Sequence, residues 1–395
     1  MLGSVILDLF LIALLVAYLI YGYQIGMVRS LCGIAGVVLG AIGAIIVVPL
    51  VTSAVQDPTL RTGAILGAVL VLVIGGYWAG AATGTAIQKM MKGRGLRRID
   101  RGLGAIVTTI VAALVVSMLS ISISGLGMPA ISQAIASSTV LRAINSVTPV
   151  PVQSFLAQVR SATVDQSLPQ IAEAFGAGGG STVIPNVATD TPTLSVAAKS
   201  VVRITGNAYA CGQSQSGSGF VVSRDRVITN AHVVAGVAHP VVEVRGGPAL
   251  QSTVVYFDPV GDLAVLSVPG LNLNPLSLGA TVMTGTNTVS DGYPYGGPFV
   301  SIPDGVNRVG TINVSNIYDT SQSPREVYSL AADVQEGDSG GPMLTAKGVV
   351  VGVIFAKGAT TKNVGYAITM KSVAPVADRA GQLNTPVSSG RCTRG

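Results

Sequence analysis

Charge is scarce in this chain. Of its 395 residues only 11% are Asp, Glu, Lys or Arg, while 49% are hydrophobic and the mean hydropathy is +0.60. That balance excludes a wholly soluble globular protein and puts part of the chain in lipid. Histidine is scarcer still, with two, and the three cysteines are scattered, so no cluster of metal ligands is in view and neither metal nor cofactor is expected. Basic motifs with interleaved aromatics are lacking as well. The formal charge of +6 is spread thinly and does not point to nucleic acid.

What charge there is avoids four stretches, 9–28, 30–56, 62–88 and 102–141. A helix needs roughly 20 apolar residues to cross a bilayer. Four spans are therefore predicted near 5–24, 30–51, 63–86 and 103–124, with Pro49, the Asp57-Pro58 pair and Gly125 to Pro129 near their ends. The first span lacks a basic n-region and is followed by others, which argues against a cleaved leader. Between the third and fourth lie Lys89, Lys92, Arg94, Arg97, Arg98 and Arg101 against the single acid Asp100. Such loops stay on the cytoplasmic side, so both termini are expected outside. Gly76, Gly80 and Gly84 recur every fourth residue, as do Gly36 and Gly40, and predict close helix packing within one chain. The four spans with the I-D-R-G-L-G-A-I segment, 99–106, resemble the colicin V production family of membrane proteins.

Residues 129–193 read as a loosely helical segment and then a Gly/Pro/Ser linker through G-A-G-G-G-S-T, 176–182. Three domains are expected: a four-helix transmembrane bundle over 1–128, this segment, and a β-rich domain over 194–395. The last contains short runs such as V-V-R-I, V-V-E-V and G-V-V-V-G-V-I-F broken by Gly, Pro, Asn and Asp, an all-β signature suited to a double β-barrel.

Both histidines lie in that half. G-S-G-F-V-V-S-R-D-R-V-I-T-N-A-H reads as strand, turn, strand and then His232; G-D-L-A-V-L puts Asp262 directly before a strand; E-G-D-S-G-G-P-M-L places Ser339 in a glycine loop. A serine hydroxyl needs an imidazole to take its proton, and the imidazole needs a carboxylate to hold its tautomer and charge. Gly337 permits a tight turn that would let its N–H and that of Ser339 converge on an oxyanion. Asp258, before Pro259, is the alternative acid, and His239, before Pro240, reads as a surface residue. The order and flanks resemble the trypsin-like serine proteases, including the HtrA branch, over roughly 200–380, and G-Y-P at 292–294 resembles their second-barrel segment. The PDZ module usual in the HtrA branch is not expected, since fewer than thirty residues follow the last strand.

The resemblance implies serine endopeptidase activity on protein or peptide substrates, with Asp338 supporting the serine loop. It suggests a specificity pocket near Asp333, which Lys357 on the opposite wall could neutralise. Cys32 falls inside a span and reads as an apolar filler, whereas Cys211 and Cys392 lie on the oxidising side and are expected to pair. The whole arrangement resembles the actinobacterial membrane-anchored periplasmic serine proteases associated with acid resistance and cell-envelope stress. That implies a multi-pass protein of the plasma membrane with its protease outside and the lipid bilayer as a partner. A membrane scaffold or transporter with a peptide-binding, non-hydrolytic outer domain is the alternative.

Overall fold

The computed structural model describes residues 2–393 apart from 55–57, 92, 125–130, 132, 133, 136, 162–167, 172–181 and 209–212. The first four elements are long helices, α1 (Leu2–Ile25), α2 (Met27–Ala54), α3 (Pro58–Met90) and α4 (Arg94–Ser124). All four contain stretches long and apolar enough to cross a membrane: Gly3–Ile25, Met27–Ala54, Gly63–Met90 and Gly95–Ser120. Large apolar side chains point outward from them, with Leu39, Ile45, Val71 and Trp78 all more than 60% exposed. In water that would be costly; in lipid it is the ordinary outer face of a bundle.

The helices overrun the predicted spans. Pro49 lies inside α2, with helix on either side of it, and Pro58 opens α3, where its missing N–H would have had no helical partner anyway. The cationic stretch is largely helical, because L-R-R-I-D-R contains no helix breaker and starts α4 ahead of the predicted span at 103–124. Between α1 and α2 only Gly26 interrupts, at φ +85°. The small-residue stripes do what their spacing predicts: a Cβ on Gly36 would come within 2.0 Å of the Gly76 carbonyl, and one on Gly80 within 2.1 Å of the Cys32 carbonyl. Asp100 is buried at this end of the bundle, accepting from the Val28 N–H at 3.0 Å and from Gln88 Nε2 at 2.9 Å.

Residues 8–116 form one compact unit and the remainder of the chain a second. The second contains helices α5 (Thr139–Val147) and α6 (Val150–Ser161), then two curled seven-stranded sheets that share fourteen strands, β1 (Gln170–Ile171) being the first in the chain. Sheet one uses β2 (Val201–Ala208), β3 (Gln213–Ser223), β4 (Arg226–Thr229), β5 (Val241–Val244), β6 (Ala249–Gln251), β7 (Thr253–Asp258) and β8 (Leu263–Ser267), in the order β6-β5-β2-β3-β4-β8-β7. Sheet two takes β1 together with β9 (Asn287–Gly292), β10 (Val300–Ser315), β11 (Gln322–Ala331), β12 (Pro342–Leu344), β13 (Val350–Gly358) and β14 (Val364–Thr369), and runs β1-β13-β12-β9-β10-β11-β14. An added β13–β14 pairing closes six of these strands into a ring. The pairings between named strands are antiparallel except β1 with β13.

Each sheet encloses its own core, Val202, Ile204, Val221 and Leu266 in one, Tyr328, Leu330, Met343 and Ile354 in the other. A third cluster joins them through Phe220, Ile228, Val289, Phe355 and the C-terminal helix Met370–Arg379. This is the chymotrypsin-type double barrel expected from the strand rhythm. It leaves a seam between the barrels where loops from both can meet.

Candidate active site

The first barrel supplies an imidazole and a carboxylate to that seam. After β4 the chain turns at Asn230 into the short helix Ala231–Val234, which presents His232. Asp262 immediately precedes β8 and holds φ +55°, a left-handed conformation that Asp tolerates better than most residues. Its carboxylate receives His232 Nδ1 at 2.8 Å and the His232 backbone N–H at 3.0 Å, while its own carbonyl accepts from Asn230 Nδ2 at 2.8 Å. Both side chains are buried. A carboxylate on Nδ1 fixes the proton there and leaves Nε2 as the basic nitrogen. Asp258, the alternative acid, instead caps its own turn, accepting from the Val260 and Gly261 N–H groups at 2.9 Å each. His239 is exposed and sits beside Gln251.

The second barrel supplies the serine loop, held by hydrogen bonds on every side. Ser218, from the G-S-G-F run, donates through its hydroxyl to the Gly337 carbonyl at 2.7 Å and through its N–H to the Ser339 carbonyl at 2.8 Å. Its hydroxyl accepts from the Tyr293 N–H at 2.9 Å, which binds the G-Y-P segment to the same knot. Gly337 sits at φ +94°, and a Cβ there would lie 2.4 Å from the Tyr293 carbonyl, so both conformation and space demand glycine. The Tyr295 N–H donates to the Glu336 carbonyl, and because a trans peptide turns its C=O and N–H opposite ways, the Gly337 N–H faces away from Tyr295. Neither that N–H nor the Ser339 N–H donates to a described residue. The Ser339 hydroxyl is buried and without a hydrogen-bond partner among the described residues, so its contact with the imidazole is not made in this conformation.

Electrostatics around the loop are dominated by three buried carboxyls. Burial pushes Asp338 up to about 7, with the Gln335 N–H pulling it back and the Asp333 charge pushing further. Burial likewise raises Asp304 to about 8, where the Ser290 hydroxyl lowers it and Asp338 and Asp291 raise it. Asp291 rises to about 7, again through burial, against the pull of Ser301 and Arg245. Arg325 lines the same cleft as the pair: its guanidinium donates to the Val260 carbonyl, lies 5.6 Å from the Phe355 ring centroid and feels the charges of Asp262 and Asp258. None of Ser218, Asp291, Asp304 or Arg325 stood out in the sequence. Ser218 sits in a Gly/Ser run, Asp291 beside Ser290, Asp304 between Pro303 and Gly305 and Arg325 beside Glu326, so none carries a local signal and only the fold gathers them.

Other expected residues are placed as follows. Asp333 is exposed and accepts from Gln335 Nε2, while Lys357 lies 4.0 Å from Glu336. Cys211 lies outside the described residues. Cys392 Sγ would be 2.8 Å from a Cβ on Gly236, beside Ala208, the last described residue before Cys211. Among the described residues no group of three or more His, Cys, Asp or Glu could hold a metal ion.

Comparison with known proteins fits this geometry. The model for the trypsin-like peptidase domain matches residues 217–353, and that for colicin V production protein matches 7–149. The chain is 32% identical over 394 residues to the serine protease Rv3671c of Mycobacterium tuberculosis, covering 98% of each. It is 32% identical over 188 residues to the serine protease Do-like HtrB of Bacillus subtilis, covering 43% of this chain and 40% of that one. The crystal structure of the Rv3671c protease in its active form matches with a TM-score of 0.53 at 36% identity, over 57% of this chain and 100% of that chain. Four apolar helices followed by a chymotrypsin-type double barrel, matched over nearly the whole length, mean that the chain belongs to the trypsin-like serine proteases that carry a colicin V production-type membrane region.

Proposed function

We propose that Ser339 is the nucleophile of a membrane-anchored extracytoplasmic endopeptidase, with His232 as general base and Asp262 as the carboxylate that orients and stabilises the imidazolium. The observation that carries this reading is the buried His232 Nδ1 to Asp262 contact of 2.8 Å, with Gly340 of the serine loop so close to this segment that a Cβ on it would lie 3.1 Å from the Asn230 nitrogen. Turning the Ser339 side chain toward Nε2 completes the relay; catalytic hydrogen bonds often tighten only once substrate is bound. The imidazole takes the hydroxyl proton as Oγ attacks the scissile carbonyl, and the Gly337 and Ser339 N–H groups receive the oxyanion. His232 then protonates the leaving amine, and water repeats the sequence to free the acyl-enzyme. Asp338 is structural, holding the Gln335 N–H at 2.9 Å.

The exposure of Asp333 and the Lys357 to Glu336 contact speak against a basic P1 preference, which a panel of P1-varied peptides decides. Cys392 lies beside Ala208, the end of β2 and three residues before Cys211 in the sequence, which supports a bridge between them. The cationic residues from Lys89 to Arg101 support an inside connection between α3 and α4, hence an outer protease acting on envelope proteins, in keeping with a role in acid or envelope stress. A cysteine placed at Gly95 of a Cys32→Ala chain is then inaccessible to an impermeant maleimide until cells are opened; labelling in intact cells would reverse the orientation. The competing reading, a non-hydrolytic peptide-binding domain, draws only on the unbonded Ser339 hydroxyl. Hydrolysis of a fluorogenic peptide by the full chain in detergent, abolished by Ser339→Ala, decides between them; activity that survives Ser339→Ala would refute the assignment.

A further inference from the structure

Strand β13 changes neighbours halfway along. From Val350 to Val353 it pairs with β12, and at Ile354 the ladder passes to the serine loop: the Gly340 N–H donates to the Ile354 carbonyl at 2.8 Å, and the Ile354 N–H to the Gly341 carbonyl at 3.0 Å. β14 continues along the opposite edge as far as Lys357. Beyond Ile354, the edge that leads out from Ser339 therefore has no barrel strand beside it. It borders a cleft of about 550 Å³ lined by His232, Asp262, Arg325 and Phe355. A peptide laid along this edge would be bound by its main-chain groups as an added strand.

Residues 168–171 already occupy it. β1 lies against β13 in register Gln170 with Lys357 and Ile171 with Gly358, and the Lys357 and Ala359 N–H groups donate to the Pro169 and Ile171 carbonyls at 3.1 and 3.0 Å. Leu168 is buried in the cluster of Val334, Met343 and Ile354 behind the serine loop, and Ile171 packs against the cluster that includes Phe355. Gln170, between them, is exposed. Two apolar anchors three residues apart, with an exposed residue between them, plus main-chain bonds along one edge, hold the segment as a strand-like ligand.

β1 runs parallel to β13. The Pro169 and Ile171 carbonyls are spent on β13, away from the Gly337 and Ser339 N–H groups.

We propose that residues 168–171 are a resident competitor, a segment of this chain that closes the peptide-binding edge of its own protease as a parallel strand, stays uncut, and must be displaced by protein substrates. This rests on the assignment of Ser339 as nucleophile. Tethering makes so small a ligand effective, since a short linker supplies an effective concentration of roughly millimolar, and a segment with an affinity near 0.1 mM would fill its site about nine-tenths of the time.

The test uses the full chain in detergent, with fluorophosphonate titration of Ser339 to count competent molecules and fluorogenic peptide hydrolysis per competent molecule as the readout. Leu168→Asp, which charges the buried anchor, and Ile171→Pro, which removes an edge N–H, are each expected to raise kcat/KM about tenfold. The peptide Leu-Pro-Gln-Ile, added at millimolar concentration, should inhibit the Leu168→Asp chain competitively and be recovered intact by mass spectrometry. Unchanged kcat/KM in both variants, with Ser339→Ala unlabelled, overturns the resident competitor and leaves the protease assignment standing; so does hydrolysis of the added peptide. If neither variant folds, the same peptide on the unmodified chain decides, with competitive inhibition without cleavage supporting the proposal and no inhibition or cleavage overturning it. Absence of Ser339-dependent labelling in every form removes the protease assignment and this proposal together.

Discussion

Ser218 ties the serine loop, the β9 end and the first barrel together through one hydroxyl and one N–H. It touches no reacting atom, so its removal should act on geometry. In other proteases, losing one oxyanion donor lowers kcat by about 10²–10³. Ser218→Ala, which releases the Gly337 carbonyl and leaves its N–H to wander, is expected to lower kcat by about 10–100-fold with KM little changed, and a normal kcat would show that the loop holds itself. Asp262→Asn presents the imidazole with an amide and the wrong tautomer, for which about a 10⁴-fold loss in kcat is expected. Activity within tenfold of the unmodified chain would mean that Asp262 only braces the His232 backbone. Which aspartate meets the imidazole was half legible in the sequence: a strand start was visible after Asp262 and a Pro turn after Asp258, but the φ of +55° at Asp262 was not.

At the scale of elements, β9, β10 and the serine loop bring Asp291, Asp304 and Asp338 into one buried group. All three carboxyls are raised, so between about pH 4 and 8 the folded chain holds protons that the unfolded chain releases. The unfolded state then binds fewer protons, and stability falls as pH rises through that window. A tenfold change in one carboxyl's proton affinity on folding is worth about 1.4 kcal/mol, so the effect is measurable even if packing relaxes. Calorimetry should find a higher Tm for the barrels at pH 5 than at pH 8, and Asp304→Asn should remove part of the difference by raising the value at pH 8; a Tm that climbs from pH 5 to 8 contradicts this. The C-terminal tail is a second such element. It runs back over the first barrel through Arg226 Nε to the Leu383 carbonyl at 3.0 Å, the Val387 N–H to the Val254 carbonyl at 2.9 Å and the Gly236 N–H to the Ser389 carbonyl at 3.1 Å, ending near the His232 helix. A Cys211 to Cys392 bridge would pin it, and its loss is expected to destabilise the barrels by about 2–5 kcal/mol. Peptide mapping with and without reductant checks the pairing, and alkylation of both cysteines before reduction would rule it out. The helices and strands were readable because charge-free runs and apolar alternation are local patterns. The carboxyl group and β1 were not, because Asp304 in S-I-P-D-G-V resembles a turn and a two-residue strand carries no period.

For the whole molecule, lipid and water each claim one part of the sequence. The charge-poor N-terminal third forms helices whose apolar faces look outward, packed through glycines that let α2 and α3 backbones touch. The C-terminal half folds into two barrels, each with a core of its own and a third apolar cluster that joins them. The proposed mechanism requires His232 to activate Ser339 in the seam between the barrels. The most direct measurement is the rate of covalent fluorophosphonate modification of the full chain under oxidising conditions, with the modified residue located by peptide mass. The adduct is predicted on Ser339 alone, lost in Ser339→Ala and slowed by at least a thousandfold, about 4 kcal/mol, in His232→Ala. An adduct on another residue, or on Ser339 at a rate indifferent to His232, would contradict it.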